Sequence, residues 1–355
     1  SGDGTTMAIG AIFNDGATGS DSGHVRVYKY SYGSWSQLGS DIDGEAAGDR
    51  SGVWVSLSDD GTIVAIGAYT NDGNGTESGQ VRVYQYANSS WTQLGSDIDG
   101  EAAGDRLGYS VALSSDGTIL AAGAYKNDGN GTESGHVRVY EYSGSSWSQL
   151  GSDIDGEAAG DQAGNAVSLS SDGTIVAVGA WSNNGNGTDS GHTRVYQYAN
   201  STWSQLGSDI DGEAAGDHSG SCLSLSSDGT ILAIGAYDND GNGSNSGHVR
   251  VYQYVNSTWT QIGSDIDGEA ANDRSGFFSV SISSDGNIVA IGAYLNDGVN
   301  GTDSGHVRVY DGGFGTSSSS GSSSGGGSSS TAVTANWTQL GSDIMGEANN
   351  DESGF

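Results

Sequence analysis

Asp41, Asp43, Glu45 and Asp49 stand at positions 1, 3, 5 and 9 of a short loop whose Gly44 is fourth. Oxygen donors on alternate residues of a tight glycine-containing loop are what Ca²⁺ coordination uses, although an EF-hand loop has its glycine sixth. Ca²⁺ is therefore the one cofactor these residues suggest. The alternative is a solvated acidic loop in which Asp49 caps a turn. The same set recurs as Asp97, Asp99, Glu101 and Asp105, and again as Asp153, Asp155, Glu157 and Asp161.

Other residue types recur with the same regularity. His24, His136, His192, His248 and His306 precede a Val-Arg-Val-Tyr-like run, with Gln80 in the matching place of one copy. A ring of imidazoles could bind metal or respond to pH, but with one per repeat they should lie too far apart to share an ion, so structural histidines are expected. The six arginines Arg26, Arg82, Arg138, Arg194, Arg250 and Arg308 follow two residues later; a guanidinium fork there suits carboxylates or carbonyls of a neighbouring repeat. Trp35, Trp91, Trp147, Trp203, Trp259 and Trp337 could stack on a sugar ring or pack on nearby tyrosines. Asn-x-Ser/Thr acceptors at Asn74, Asn88, Asn130, Asn186, Asn200, Asn242, Asn256, Asn300 and Asn336 suit surface glycans on a secreted protein.

No Ser-His-Asp set, paired metal-binding histidines or phosphate loop stands out. Catalytic sites bring unlike residues to one place, whereas these repeats copy one another, so the expectation is a protein that is not an enzyme. Charge narrows the partners. With 44 acids against 11 lysines and arginines, the net charge of −33 repels nucleic acid and anionic membranes. No apolar run approaches the roughly 18 residues of a membrane span, so no membrane insertion is expected. The lone cysteine, Cys222, excludes an internal disulfide and reads as a small buried thiol.

The elements that position these residues follow from the repeat itself. Gly-Ser-Asp-Ile-Asp-Gly-Glu-Ala-Ala begins at Gly39, Gly95, Gly151, Gly207 and Gly263, 56 residues apart, with a degraded copy at Gly341. In the third unit, strand signals fall at 109–113 (A), 118–122 (B), 136–142 (C) and 147–154 (D), separated by Gly-, Asn- and Ser-rich turns. No segment has a helical period and proline is absent. A four-stranded unit rich in Val, Ile, Ala, Trp and Tyr cannot cover both its faces, and radial repetition supplies the cover. The fold expected is an all-β, six-bladed β-propeller of four-stranded antiparallel blades. It forms one domain over residues 1–355, with a Ser/Gly-rich loop inserted over 312–334 of the last blade. Its antiparallel order gathers the D-to-A and B–C loops, and with them most of the acids, on one face.

The run Leu107-Gly108-Tyr109-Ser110-Val111-Ala112, then Ile119-Leu120-Ala121-Ala122-Gly123-Ala124 and Gly135-His136-Val137-Arg138-Val139-Tyr140, resembles the FG-GAP repeat of integrin-α-like propellers of secreted microbial and algal type. The likeness covers the chain outside the Ser/Gly insertion. The motif's Phe is replaced by Ser51, Leu107, Ala163, Ser219 and Ser275, and its Pro by Ile12, Tyr69, Tyr125, Trp181, Tyr237 and Tyr294. The family's Asp-rich calcium loop between A and B is reduced here to Ser115-Asp116-Gly117 and its equivalents.

The resemblance implies an extracellular or cell-surface location and a structural, adhesive or protein-interaction scaffold with an acidic loop face. Its partner would be a protein or a glycan, and oligomers are compatible with it. A lectin-like propeller is the alternative, and a polysaccharide-acting enzyme the third reading. Ser1-Gly2-Asp3-Gly4 aligns with the A–B turn at 58–61 and no signal peptide is present, so a trimmed piece of a longer chain is expected, its first blade completed by a strand from the C-terminus.

Overall fold

The computed structural model describes residues 1–298, 300–314, 335–348, 350–351 and 353. Six antiparallel sheets follow one another along the chain, and no helix of the described residues is long and apolar enough to cross a membrane. The third blade shows the pattern: strand A Leu107–Leu113, B Ile119–Ala124, C His136–Ser143 and D Ser146–Gln149, in spatial order A-B-C-D. The expected single D strand is broken. Ser146–Gln149 pairs with the outer end of C, and a separate piece, Ile154–Asp155, pairs with His136 and Val137 at its inner end. Five blades repeat this order; the first, among the described residues, starts at strand B, Thr6–Ala11. Of the expected 312–334 insertion, residues 315–334 lie outside the described residues.

Strand B is apolar on both faces because a blade packs on each side of it. Ile63–Ala68 is buried at every residue, and so is Ile175–Ala180. The core is accordingly a series of inter-blade layers. Val64 and Ile66 pack on Val25, Val27 and Ile42 of the preceding blade. Ala121 lies with Val137, Val139 and Val176 across the next blade boundary. At the seam between the last and first blades the corresponding surface is open: Met7 and Ile9 are 39% and 46% exposed, where Val64 and Ile66 in the same places are 0% and 1%.

The two glycines of the repeat meet across blades. A Cβ on Gly67, Gly123, Gly179 or Gly235 would collide with the carbonyl oxygen of Gly108, Gly164, Gly220 or Gly276 in the following blade. Those first-strand glycines sit at φ between +84° and +87°, open to glycine and strained for other residues. Strand A bulges beside them, between Leu107 and Ser110 and between Ser219 and Cys222. Cys222 is buried opposite Gly235, and burial pushes its thiol up to about 11.

Two further systems bind the ring. On the face away from the acidic loops, the A–B turns form a chain of backbone bonds: Gly2 N–H to Asp59 O, Asp59 to Ser115, Ser115 to Ser171, Ser171 to Ser227, and Ser227 to Ser284. At the junctions between units, Gly23–Ser51, Gly79–Leu107, Gly135–Ala163, Gly191–Ser219, Gly247–Ser275 and Gly305–Ser353 pair as parallel bridges.

The glycine contact gives a direct test. Gly67→Ala should lower unfolding free energy by about 1–3 kcal/mol, the usual cost of overpacking, with circular dichroism during urea titration as the readout. An unchanged midpoint would refute the tight backbone approach.

Candidate functional site

Each acidic loop sends its carboxylates to different places. Asp49 is 4% exposed and accepts from the backbone N–H of Glu45 and Ala46, and from Asn71 Nδ2 of the next blade at 3.1 Å. Asp105, Asp161, Asp217 and Asp273 do the same with Asn127, Asn183, Asn239 and Asn296. Asp41 takes a two-pronged bond from Arg26, and Asp153 one from Arg138. Glu45 instead points at the following blade, its Oε1 3.5 Å from Arg82. Asp43 and Asp99 sit in the short inner strand piece opposite His24 and Gln80, as Asp155 does opposite His136. Asp97 accepts from Gln93 Nε2. The spacing that suggested Ca²⁺ inside one loop thus does not gather the four carboxylates; among the described residues no metal-sized cluster comes from a single loop.

The gathering happens between blades. Glu101, His136 and Asp153 bring ligand atoms within 4.8 Å of one another, and so do Glu157, His192 and Asp209; Glu213, His248 and Asp265; and Glu269, His306 and Asp343. In each the Glu comes from one blade and the His and Asp from the next. The strand-C arginine completes the junction. Arg194 Nη2 donates to Asp155 O at 2.7 Å, with Nη1 3.5 Å from Glu157; Arg250 and Arg308 reach Asp211 O, Glu213, Asp267 O and Glu269 in the same way. Arg138 pairs with both Glu101 and Asp153. Burial, then the adjacent arginine, pushes His192 down to about 4, and the same causes lower His136, His248 and His306. These imidazoles are neutral at pH 7 and keep a lone pair.

The tryptophans act as fasteners. Trp91, Trp147, Trp203 and Trp259 each donate Nε1–H to the carbonyl of Leu38, Leu94, Leu150 or Leu206 in the preceding blade, at 2.7–2.8 Å. Each also packs on a strand-C tyrosine, as in the 5.1 Å Tyr86–Trp91 pair. That acceptor carbonyl sits where strand D breaks, next to Gly95 or Gly151, whose left-handed backbone leaves the indole room.

The glycan acceptors divide into two kinds. Nδ2 of Asn74, Asn130, Asn186 and Asn242 donates twice, to consecutive carbonyls of the adjacent acidic loop, all at 2.9 Å, and Asn300 Nδ2 donates to Gly346 O. A glycan on such a nitrogen would displace one of those bonds. Asn88, Asn200 and Asn256 stand exposed at left-handed positions of the C–D turn, and Asn336 is exposed as well.

A second constellation, invisible as a motif, lies on the axis. Ring contacts tie blades that are not neighbours: Phe278 of the sixth touches Trp54 of the second at 6.0 Å, Tyr109 of the third at 6.3 Å and Trp181 of the fourth at 6.3 Å. Only the centre of a ring permits this. Around it, the residue closing each acidic loop meets the aromatic that replaces the motif's Pro. Arg50 bonds Tyr69 Oη, Arg106 bonds Tyr125 Oη, and Gln162 accepts from Trp181. His218 stacks on Tyr237, and Arg274 bonds Tyr294 Oη. Here the repeats differ most. In the fifth blade, His218 Nδ1 lies 3.2 Å from Asp238, which also lies 3.5 Å from Arg274 Nε. The Asp238 carboxylate beside it raises the His218 pKa against its partial burial. The available signal was the set of positions at which otherwise copied units disagree.

The FG-GAP repeat family model matches residues 42–84, 97–140 and 210–252. No curated protein matches the sequence. Among solved structures, a putative 6-phosphogluconolactonase from Bacteroides uniformis is similar at 13% identity and TM-score 0.61, over 96% of this chain and 82% of that one. The periplasmic gluconolactonase of Pseudomonas aeruginosa is 13% identical with TM-score 0.48, over 97% of this chain and 96% of that one. Likeness at this level concerns the fold. It does correct the expectation that the chain is not an enzyme: the architecture is shared with a protein titled a lactonase, and the supposed uniformity of the repeats breaks down on the axis.

Two outcomes check these assignments. Trp147→Phe keeps the ring packing but loses the bond to Leu94, and should cost about 1 kcal/mol in urea unfolding; no loss would remove the fastener role. His218 has its pKa raised by folding, so its pairing with Asp238 contributes fully below the unfolded-state value near 6.5 and is lost as pH rises through the folded value. His218→Gln should therefore destabilise more at pH 6 than at pH 9. Equal effects at both would sink this assignment. Three stretches of the chain thus match the FG-GAP repeat, and they lie within a six-bladed β-propeller.

Proposed function

We propose that this propeller is an extracellular or cell-surface adhesion scaffold that holds a cationic protein partner against its acidic loop face. The observation that carries the reading is one knuckle presented repeatedly around that face. Glu45-Ala46-Ala47, Glu101-Ala102-Ala103, Glu157-Ala158-Ala159, Glu213-Ala214-Ala215, Glu269-Ala270-Ala271 and Glu347-Ala348 are all exposed, while the ninth-position Asp in each of the first five loops is buried and holds the loop in shape. Identical, rigid, weakly attractive points around a ring favour a partner that touches several at once, where avidity exceeds single-site affinity by about 10²–10⁴.

The test compares a short oligolysine with a long poly-L-lysine on the immobilised chain. The long probe should bind at least about 100-fold more tightly and weaken steeply with salt. Glu→Gln changes at Glu45, Glu101, Glu157, Glu213 and Glu269, added one at a time, should erode binding stepwise. No gain with probe length would defeat the multivalent reading.

The axial His218–Asp238 pair favours a second reading, hydrolysis at the axis, because a carboxylate-held imidazole is a general base. Turnover of an ester or lactone that disappears in both His218→Gln and Asp238→Asn would support it. Turnover unaffected by either change, or none across a substrate panel, would remove it.

A further inference from the structure

We infer that the junctions entering the fourth, fifth and sixth blades are binding sites for a divalent transition-metal ion of the Zn²⁺ class, ligated by Glu157, His192 and Asp209, by Glu213, His248 and Asp265, and by Glu269, His306 and Asp343. The argument starts from imidazoles that are buried without being satisfied. His306 is 0% exposed and neither ring nitrogen makes a hydrogen bond, the Nδ1 that faces Glu269 included; His248, 1% exposed, turns its Nδ1 toward Glu213 in the same setting and leaves its Nε2 unbonded. Buried polar atoms normally find partners, so such a ring points to a ligand.

The surroundings supply one. Nδ1 of His192, His248 and His306 lies 3.8, 3.9 and 3.8 Å from Oε2 of Glu157, Glu213 and Glu269. These separations are too long for a hydrogen bond and leave room for an ion about 2 Å from each donor. The glutamate divides its oxygens, with Oε1 facing the arginine and Oε2 the imidazole. Asp209, Asp265 and Asp343 bind Gln205, Gln261 and Gln339 through Oδ1 and keep a second oxygen for the cluster.

Access exists at the sixth blade, where a cleft of about 550 Å³ is lined by Glu269, Asn296, Ser342, Asp343 and Met345, open for water to complete the coordination sphere.

One nitrogen and two carboxylate donors suit Zn²⁺ and its neighbours; Ca²⁺ and Mg²⁺ take oxygen ligands. The arginine does not block the site in these three junctions, because its fork is held by a main-chain carbonyl and Oε1. The third blade differs: Arg138 grips Asp153 itself at 3.0 Å and binds Glu101, so that junction already has its cation. The second blade is a built-in control. Gln80 replaces the histidine, is 3% exposed, and bonds Glu45 and Asp99 directly.

The experiment titrates the EDTA-treated full chain with Zn²⁺ by calorimetry, and with Co²⁺ by visible absorption, in excess Mg²⁺ to occupy the diffuse acidic surface. The expected result is about three ions per chain and a Co²⁺ spectrum with nitrogen ligation. The triple variant His192→Gln, His248→Gln, His306→Gln copies the natural Gln80 junction. It should keep the wild-type circular dichroism spectrum and lose at least tenfold in Zn²⁺ affinity. Glu157→Gln, Glu213→Gln and Glu269→Gln together form a second set with the same expected loss. Zn²⁺ uptake unchanged in both sets, or no uptake above the Mg²⁺ background, would overturn the proposal.

Discussion

Everything in this propeller depends on how closely one blade's backbone can approach the next near the axis. The strand-B glycine lies against the carbonyl of the following blade's first-strand glycine, with no room for a side chain on the first and a left-handed backbone at the second. A sheet that presses backbone to backbone at its inner end and inserts an indole at its outer end is a wedge. The tryptophan supplies the outer thickness, and its bond to the preceding blade's Leu carbonyl fixes the angle. Among the described residues five junctions carry these two contacts, and they bend six blades into a ring rather than a straight stack, because thickness grows from axis to rim.

The same geometry explains why the acidic face tolerates its charge. A net charge of −33 opposes compaction, yet the acids are not a uniform layer. One carboxylate per loop is consumed by backbone N–H groups and an asparagine of the next blade, and one faces the strand-C arginine across the junction. That second carboxylate is the glutamate that heads the exposed Glu-Ala-Ala knuckle, where solvent screens its charge. Burying Asp161 at 1% exposure is sustainable because its oxygens accept from Ala158 N–H and Asn183.

How much of this was legible follows from where the information lies. Repetition made the fold readable: a 56-residue period, four strand signals and two-sided apolar B strands leave few arrangements other than a ring. Strand D was read as one piece because Trp147 to Ile154 has no obvious breaker besides Gly151. The break arises from the next blade's Trp203, a contact 53 residues along the chain from its acceptor Leu150. The carboxylates were legible as a set but grouped wrongly. Spacing within a loop describes chelation by that loop, whereas here neighbours in space come from consecutive repeats, Glu157 with Asp209 rather than Asp153 with Asp155.

Near-identical repeats also hide the places where they matter most. Copying made each unit look interchangeable, and the eye passes over Arg50, Arg106, Gln162, His218 and Arg274 as drift in a loop end. Projected onto the ring they are one circle of side chains, each held at positive φ beside an aromatic, around Tyr109 and Phe278. At the axis, symmetric copies would place six identical groups on each other, which sterics and like charge both oppose. Divergence there is therefore required for packing before it serves any ligand. The junctions have the opposite property: they are far enough apart to repeat without conflict, and those entering the fourth, fifth and sixth blades share one arrangement. A protein built this way holds its distinct chemistry on the axis and its multiplied chemistry at the seams, and these are separable by substitution because no side chain belongs to both.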